Sequence, residues 1–385
     1  MLGGYHVYIY YTKPRDGYVR FIRIVDYTQN TNDIRYVKNP GEKYFVNEDD
    51  IVMVRYGTPG LIGRGKSGVI ANNLFRIKIE RQDLINDYLA LYLSQENIQN
   101  YLSTQGSATM PALNFRQLKT VEVSFPSPTE QKLIVKILDK AFAAIAKAKS
   151  NAEQNIQNAK ELYQSHFNKI ITQSGEGWKE TSIDEECKLM TGGTPSKNRK
   201  DYFENGKINW LVSGDIHKKP ITECEGKITQ LGLENSNAKY LPLNSVMIAL
   251  NGQGKTRGTV TRLEIKATCN QSLVSIFPKN SEELLSEYIY VNLKSRYSEI
   301  RKMTGDSGND RRGLNMSLIS SIKFIFPKDI VLQRKIIDLE NQLSTNTDKL
   351  IGIYQKKIES LEELKKSVLQ KAFNGELKTT KAVAV

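Results

Sequence analysis

The sequence predicts an α+β protein: two mixed α/β modules joined by two long antiparallel coiled-coil helices, the whole an internal pseudo-two-fold repeat. Three observations predict it. First, the second half of the chain repeats the first. The run Asp50–Ile79 (DIVMVRYGTPGLIGRGKSGVIANNLFRIKI) returns as Asn244–Phe277 (NSVMIALNGQGKTRGTVTRLEIKATCNQSLVSIF). Second, each copy continues in the same order: Leu113-Asn114, VEVSFP at Val121–Pro126 and Gln131, against Leu314-Asn315, IKFIFP at Ile322–Pro327 and Gln333. Third, a long helical stripe follows each copy. The offset between matched residues drifts, from 189 at Asp26 and Asp215 through 198 at Asn72 and Asn270 to 202 at Gln131 and Gln333. A slow drift means loop insertions within one duplicated plan. Two copies at this spacing are too few and too long for a solenoid.

The first helix is expected after the Pro126 and Pro128 punctuation, with Thr129 as its N-cap. Its stripe is Ile134, Leu138, Ala141, Ile145, Ala148, Ala152, Ile156, Ala159, Leu162, His166 and Ile170. The second opens near Asp329 and carries Leu332, Ile336, Leu339, Leu343, Asn346, Leu350, Ile353, Lys357, Leu361, Leu364 and Val368, ending at Asn374-Gly375. A period near 3.5 over several heptads is a coiled-coil seam. Each helix would be ~60 Å long, and neither can bury its stripe alone. Pairing them antiparallel within one chain is the economical solution, and it places the modules at opposite ends. Polar Asn346 and Lys357 would fix register.

Within the modules, β-rich runs are expected at Tyr18–Val25, Ile51–Arg55, Leu74–Ile79 and Val121–Phe125, with counterparts in the second half. Asp83–Leu102 and Glu282–Met303 read as amphipathic helices at matching positions. The expected division is residues 1–128 for the first module, 129–174 for the central helix, 175–328 for the second module, 329–377 for the distal helix and 378–385 for a flexible tail. Aligning Gly3-Gly4 with Gly192-Gly193 leaves the first module without a counterpart of Trp178–Met190. That module is expected to be N-terminally short: either the chain is truncated or misassigned at its start, or the module manages without that strand.

With 385 residues and a formal charge of +13, the chain can hold two cores and favours a polyanionic partner, nucleic acid first. Three cysteines (Cys187, Cys224, Cys269) lack metal-ligand spacing and suit a reducing cytoplasm. No apolar run is long enough to span a membrane and no signal peptide is visible. The three histidines (His6, His166, His217) form no triad or metal motif.

Gly60–Ser67 fits the phosphate-loop pattern G-x-x-x-x-G-K-S/T. That pattern works when the turn opens a helix whose N-terminus holds phosphate. Here strand-like sequence follows, so a nucleotide enzyme is set aside. The duplicated feature is a loop of Gly with cations and amides between two strands. Gly lets a backbone approach closely; Arg and Lys suit phosphate or guanine, and Asn and Gln suit adenine. The candidate DNA-binding residues are Arg55, Arg64, Lys66 and Asn72 in the first module. In the second they are Asn251, Gln253, Lys255 and Arg257, read as counterparts of Arg64 and Lys66. A further basic loop adds Arg311 and Arg312. No methyltransferase or nuclease signature is recognisable; the chain reads as a recogniser, not a catalyst.

In this order the motifs closely resemble the specificity subunits of type I restriction–modification systems. The carriers are Thr191–Pro195 (TGGTP), Ile208–Asp215, Cys269-Asn270-Gln271, Leu314-Asn315, Phe326-Pro327 before Gln333, and the ending Gln370–Leu377. The resemblance covers nearly the whole chain. It implies two target-recognition domains, each reading half of a bipartite, asymmetric double-stranded DNA site. It implies helices that measure the gap and dock two modification (methyltransferase) subunits, with Leu138, Ile145, Ile156, Leu339, Leu350 and Leu361 as the helix positions involved. S-adenosylmethionine, ATP and Mg are implied on partner subunits, restriction/translocase subunits included, and none on this chain. The alternatives are the recognition subunit of a related system with a fused cleavage and methylation partner, and a coiled-coil protein adaptor.

Overall fold

The computed structural model describes residues 2–7, 9–29, 32–103, 113, 115–252, 254–304 and 313–377. In chain order the first part holds β1 (Leu2–Gly3), β2 (Tyr18–Ile22), α1 (Val25–Thr28), β3 (Arg35–Lys38), β4 (Phe45–Val46), β5 (Ile51–Val54), β6 (Ile62–Gly63), β7 (Gly68–Ile70) and β8 (Leu74–Ile77). Then come α2 (Asn86–Leu93), α3 (Glu96–Ser103), α4 (Phe115–Lys119) and the long α5 (Pro128–Ile171). The second part holds β9 (Trp178–Ser182), α6 (Ile183–Glu186), β10 (Cys187–Thr191), β11 (Ile208–Leu211), β12 (Lys227–Ile228), α7 (Gln230–Glu234), β13 (Val246–Ala249), β14 (Val260–Arg262), β15 (Thr268–Cys269) and β16 (Leu273–Pro278). It closes with α8 (Ser286–Ser295), α9 (Tyr297–Lys302), α10 (Met316–Ser320), β17 (Lys323–Pro327) and the long α11 (Ile330–Phe373).

The chain divides into two compact units, Met1–Gln154 with Tyr354–Val385, and Asn155–Ile353. Each unit takes one module, part of α5 and part of α11.

In unit 1 one sheet runs β1-β8-β5-β6 and another β3-β2-β7-β4. The central strand β5 (IVMV) is buried at every residue, which is why it reads as an unbroken apolar run. In unit 2 the sheets run β10-β16-β13-β14 and β12-β11-β15. Strand β13 (VMIA) is buried throughout in the same central place. Its fully buried Val246, Met247 and Ile248 each stabilise the unit by about 1.5–3 kcal/mol. The sequence repeat is therefore a repeat of sheet order.

The ladders correct two alignments made from sequence. Leu2 pairs with Arg76 and Met190 with Ser275, so Gly4 stands where Gly192 stands, not Gly193. Neither glycine leaves room for a side chain: a Cβ on Gly4 would lie 1.9 Å from the Ala71 carbonyl oxygen, and one on Gly192 1.9 Å from that of Cys269. Likewise the Ala71 amide donates to Ile22 O and the Asn270 amide to Leu211 O, each at 2.9 Å. Asn270 thus matches Ala71, and Asn72 matches Gln271.

Unit 2 has a third sheet, β17-β9, in which Lys323–Pro327 pairs antiparallel with Trp178–Ser182. Among the described residues of unit 1, residues 121–127 form no strand. The β-run expected at Val121–Phe125 is thus overturned: among the described residues of unit 1 no strand lies against it, whereas Lys323–Pro327 has Trp178–Ser182 as its ladder partner. Phe324 and Phe326 are buried, whereas Val123 and Phe125 are only half-buried. Each expected module helix is two helices, α2–α3 and α8–α9, broken near Gln95 and Arg296.

Each unit anchors its module to a long helix through one buried glutamine. Gln131 Oε1 accepts from the Ile85 amide at 3.0 Å, and its Nε2 donates to Asp83 O (2.8 Å) and Pro126 O (2.7 Å). Gln333 repeats this with the Leu285 amide (2.9 Å), Glu283 O (2.7 Å) and Pro327 O (2.8 Å). Both side chains are fully buried. The Tyr88 hydroxyl donates to Ser124 O (3.3 Å) and that of Tyr288 to Ile325 O (3.0 Å), again in parallel.

The long helices pair antiparallel inside each unit. In unit 1, Ile134 and Leu138 pack in one core with Leu369 and Ala372, and Lys149 Nζ reaches Glu362 Oε1 at 2.5 Å. In unit 2, Phe167 and Ile171 share a core with Ile336, and the Tyr163 hydroxyl donates to the buried Glu340 carboxylate at 2.5 Å. The α5 stripe holds from Ile134 to Ala159 and then shifts: Leu162 is 60% exposed, while Tyr163 turns inward and Phe167 is buried. On α11 the inward positions are Ile336, Glu340, Leu343, Thr347, Ile351, Tyr354, Ile358 and Leu361. Leu339, Leu350, Ile353 and Leu364 face solvent. The expected stripe holds at Leu332, Ile336, Leu343, Leu361 and Val368 and is one residue off at 339, 346, 350, 353 and 357, because apolar residues are adjacent there (Leu350-Ile351, Ile353-Tyr354) and polar Glu340 takes an inward place.

Candidate nucleic-acid interface

Each module builds one hairpin with the same closing hydrogen bonds. In unit 1 the Val54 amide donates to Leu61 O (2.9 Å) and the Gly60 amide to Val54 O (3.0 Å). In unit 2 the Ala249 amide donates to Thr259 O (3.1 Å) and the Gly258 amide to Ala249 O (2.9 Å). The hairpin tips are therefore residues 55–59 and 250–257, the second longer by three residues. At the stem, the Arg55 amide donates to Asn73 O (2.7 Å) and Arg55 O accepts from the Leu113 amide (3.0 Å). Leu250 does the same with Ser272 O (2.9 Å) and the Leu314 amide (2.9 Å).

This geometry reassigns the counterparts. Val52 pairs with Gly63, and Met247 with Thr261. Arg64 therefore matches Arg262, and the loop bearing Asn251, Lys255 and Arg257 matches Arg55–Pro59, not Arg64–Lys66. Arg55 and Asn72 lie together at one end of β5, with the Arg55 guanidinium 4.8 Å from the Tyr56 ring centre. Arg64 and Lys66 lie beyond its other end, about 13 Å away along four strand residues. There the Arg64 guanidinium is held in an ion pair with Asp87, and Lys66 Nζ sits 5.8 Å from the Tyr27 ring centre. Gly60–Ser67 contains β6 and runs into β7. It opens no helix to cradle phosphate.

In the second hairpin Asn251 and Lys255 are exposed. Arg257 is not: at 7% exposure it belongs to the module interior. It directly precedes Gly258, where the chain re-enters the sheet, and that position faces inward. Gln253, Arg311 and Arg312 lie outside the described residues. Sequence reasoning missed Gln271, which stands at the place of Asn72 and whose Oε1 accepts from the Thr194 hydroxyl at 2.7 Å. It also missed His217, exposed, with Nε2 3.0 Å from the Thr256 hydroxyl. The repeat could have shown Gln271 only if aligned by ladder rather than by residue identity.

Buried carboxylates shape the flank of each module. Asp26 accepts from the Arg23 amide at 2.7 Å and pairs with the Arg23 guanidinium at 3.2 Å. Asp215 accepts from the Val212 amide at 2.9 Å and pairs with Lys218 at 3.3 Å. They cap equivalent turns after β2 and β11. Burial pushes the thiols of Cys187 and Cys269 up to about 12. Both are neutral packing groups.

Of the helix positions expected at a subunit contact, Leu138 and Ile145 are buried within unit 1, and Ile156 and Leu361 are half-buried. Leu339 and Leu350, each 40% exposed, are presented outward. Among the described residues no helix is long and apolar enough to cross a membrane.

Comparison with known proteins follows the same two-part plan. Residues 10–157 and 175–363 match the type I restriction modification DNA specificity domain, once per module. The chain is 29% identical over 254 residues to the type I restriction enzyme EcoR124I/EcoR124II specificity subunit of Escherichia coli, a match covering 64% of this chain and 60% of that one. It is 24% identical over 337 residues to the MjaIX specificity subunit of Methanocaldococcus jannaschii, covering 83% of this chain and 75% of that one. Among solved structures, a chain from a study of complex assembly and conformational transition in the type I R-M system superposes with a TM-score of 0.77 at 14% identity. That superposition covers 94% of this chain and 92% of the other.

Proposed function

We propose, from the premise that this chain belongs to the type I restriction–modification DNA specificity family, that its two hairpins at 55–59 and 250–257 read the two halves of an asymmetric DNA site. As a specificity subunit it supplies sequence recognition within a larger complex. The observation that carries the finer reading is the hairpin pair itself. Stem and closing hydrogen bonds are the same in both modules, while the tips differ in length and chemistry. One offers Arg55 and Tyr56, the other Asn251 and Lys255. A shared frame with different tips suits two unlike half-sites rather than a palindrome. Arg against guanine and Asn against adenine give base preference, and lysines against phosphate give affinity. The +13 charge supports a strong salt dependence.

On this reading the chain is not itself catalytic. Two modification subunits dock on the long helices, with outward Leu339 and Leu350 available to one of them, and restriction/translocase subunits complete the assembly. S-adenosylmethionine, ATP and Mg2+ act on those partners. Methylome sequencing of cells carrying this chain with its modification subunit, against cells lacking the chain, tests the reading. A chain-dependent, two-part, adenine-methylated motif is expected. A palindromic motif, or no new motif with an active modification subunit present, would overturn it.

A further inference from the structure

We infer that Gln99 in the first module, and Tyr297 with Arg301 in the second, are positioning residues that fix the two base-reading hairpins from behind. The inference rests on the hairpin reading proposed above. Gly60 and Gly258 close the hairpins at equivalent places and both have positive φ, +90° and +80°. Each is met by the second helix of its module. A Cβ on Gly60 would lie 2.7 Å from Gln99 Oε1, and one on Gly258 3.3 Å from Arg301 Cγ. Gln99 Nε2 donates to Gly60 O at 3.0 Å and to Leu93 O at 2.7 Å, tying the residue that closes the hairpin to the end of α2.

In the longer hairpin the brace is larger. Arg301 Nη1 donates to Gly254 O at 2.5 Å and to the Tyr297 hydroxyl at 2.9 Å. That hydroxyl donates to Lys255 O at 3.0 Å, and the Thr259 hydroxyl donates to the same oxygen at 2.6 Å. The Lys255 backbone is thus held by two donors while its side chain stays exposed. Gly254, at positive φ, has no side chain packed where its Cβ would be, so the bond from Arg301 to its carbonyl is what holds this part of the longer tip. Two modules that share a frame use different side chains for one task. That is the pattern expected if each brace is matched to its own tip. A reading group held within about 0.5 Å discriminates between bases; a loose one does not.

The test uses the complete chain with its modification subunit. Methylation kinetics are measured on duplexes carrying the cognate site and single-base variants of each half, for Arg301→Ala, Arg301→Lys, Tyr297→Phe and Gln99→Ala, with Lys255→Ala and Asn251→Ala as tip controls. Arg301→Ala should reduce discrimination at the second half-site about tenfold, as for loss of one charge-assisted hydrogen bond, and leave the first half unchanged. Arg301→Lys should recover part of it, and Gln99→Ala should show the mirror pattern. The slope of affinity against log salt should not move, because a direct phosphate contact would lower it by about one. Tyr297→Phe removes a single oxygen and guards against a failure to fold. Unchanged discrimination for Arg301→Ala and Tyr297→Phe, with Lys255→Ala impaired, would overturn the brace and leave the hairpin reading standing. Unchanged methylation for both tip controls on every duplex would overturn the hairpin reading and the brace with it.

Discussion

Replacing Gln333 with alanine should unfold unit 2 well before the rest of its contacts would suggest. The side chain is fully buried and makes three hydrogen bonds. Its loss strands the Leu285 amide, an N-terminal donor of α8 with no helical acceptor, and takes a donor from Glu283 O and Pro327 O. A buried unsatisfied amide costs about 1–3 kcal/mol and each weakened carbonyl about 0.5–1.5, so roughly 3 kcal/mol in all is expected. Against a total of about 5–15 kcal/mol this is a large fraction. For a unit of this size it corresponds to a fall in Tm of about 10 °C. The assay is built into the sequence: the only two tryptophans, Trp178 and Trp210, both lie in unit 2, so intrinsic fluorescence reports that unit alone. Hydrogen exchange should show the Leu285 amide opening in Gln333→Ala and the Ile85 amide opening in Gln131→Ala. A change in Tm below about 2 °C for Gln333→Ala would refute the anchoring argument, since three buried bonds cannot vanish at no cost.

Three further outcomes follow from the geometry. Glu340→Ala should destabilise unit 2 by about 1–3 kcal/mol in urea unfolding, because the Lys294 ammonium, 2.7 Å from the buried carboxylate and itself partly solvated, loses its partner; Glu340→Ala as stable as the parent would contradict a held ion pair. Amides of residues 122–125 should exchange with solvent much faster than those of residues 323–326, since only the latter sit in a ladder, and equal protection would show the first segment paired. Burial raises the thiols of Cys187, Cys224 and Cys269 above their ordinary value, those of Cys187 and Cys269 to about 12, so at pH 8 they are protonated and iodoacetamide should label them only as the chain unfolds; stability is lost as pH rises above the ordinary thiol value, where the unfolded chain ionises first. Stoichiometric labelling of the native chain within minutes would refute their burial.

Particular elements show where sequence reasoning ran out. The repeat located β5 and β13 because a central strand must be apolar on both faces, and Gln131 and Gln333 because both copies keep the same anchor. Matching by residue identity failed at the hairpins. Identity sets Asn72 against Asn270, whereas the ladders set it against Gln271. It matches Arg64 and Lys66 to a loop that in space corresponds to Arg55–Pro59. Identity cannot count inserted residues, and a hydrogen-bonded register can. The helix stripes are legible in period throughout, but in phase only as far as Ala159 on α5 and in part on α11, because neighbouring apolar residues satisfy a 3.5-residue repeat on either of two faces.

The sequence by itself determined the duplicated α/β plan, the two long helices and the basic charge that favours a polyanion. These rest on local periodicity and composition, which survive without knowledge of the fold. Only the tertiary structure decided that Arg257 is interior, that Arg64 is committed to Asp87, and that the tips at 55–59 and 250–257 are equivalent. Burial and pairing depend on which distant residues share a neighbourhood, such as Arg301 behind Gly254 or Gln99 behind Gly60, and no spacing along the chain encodes that proximity.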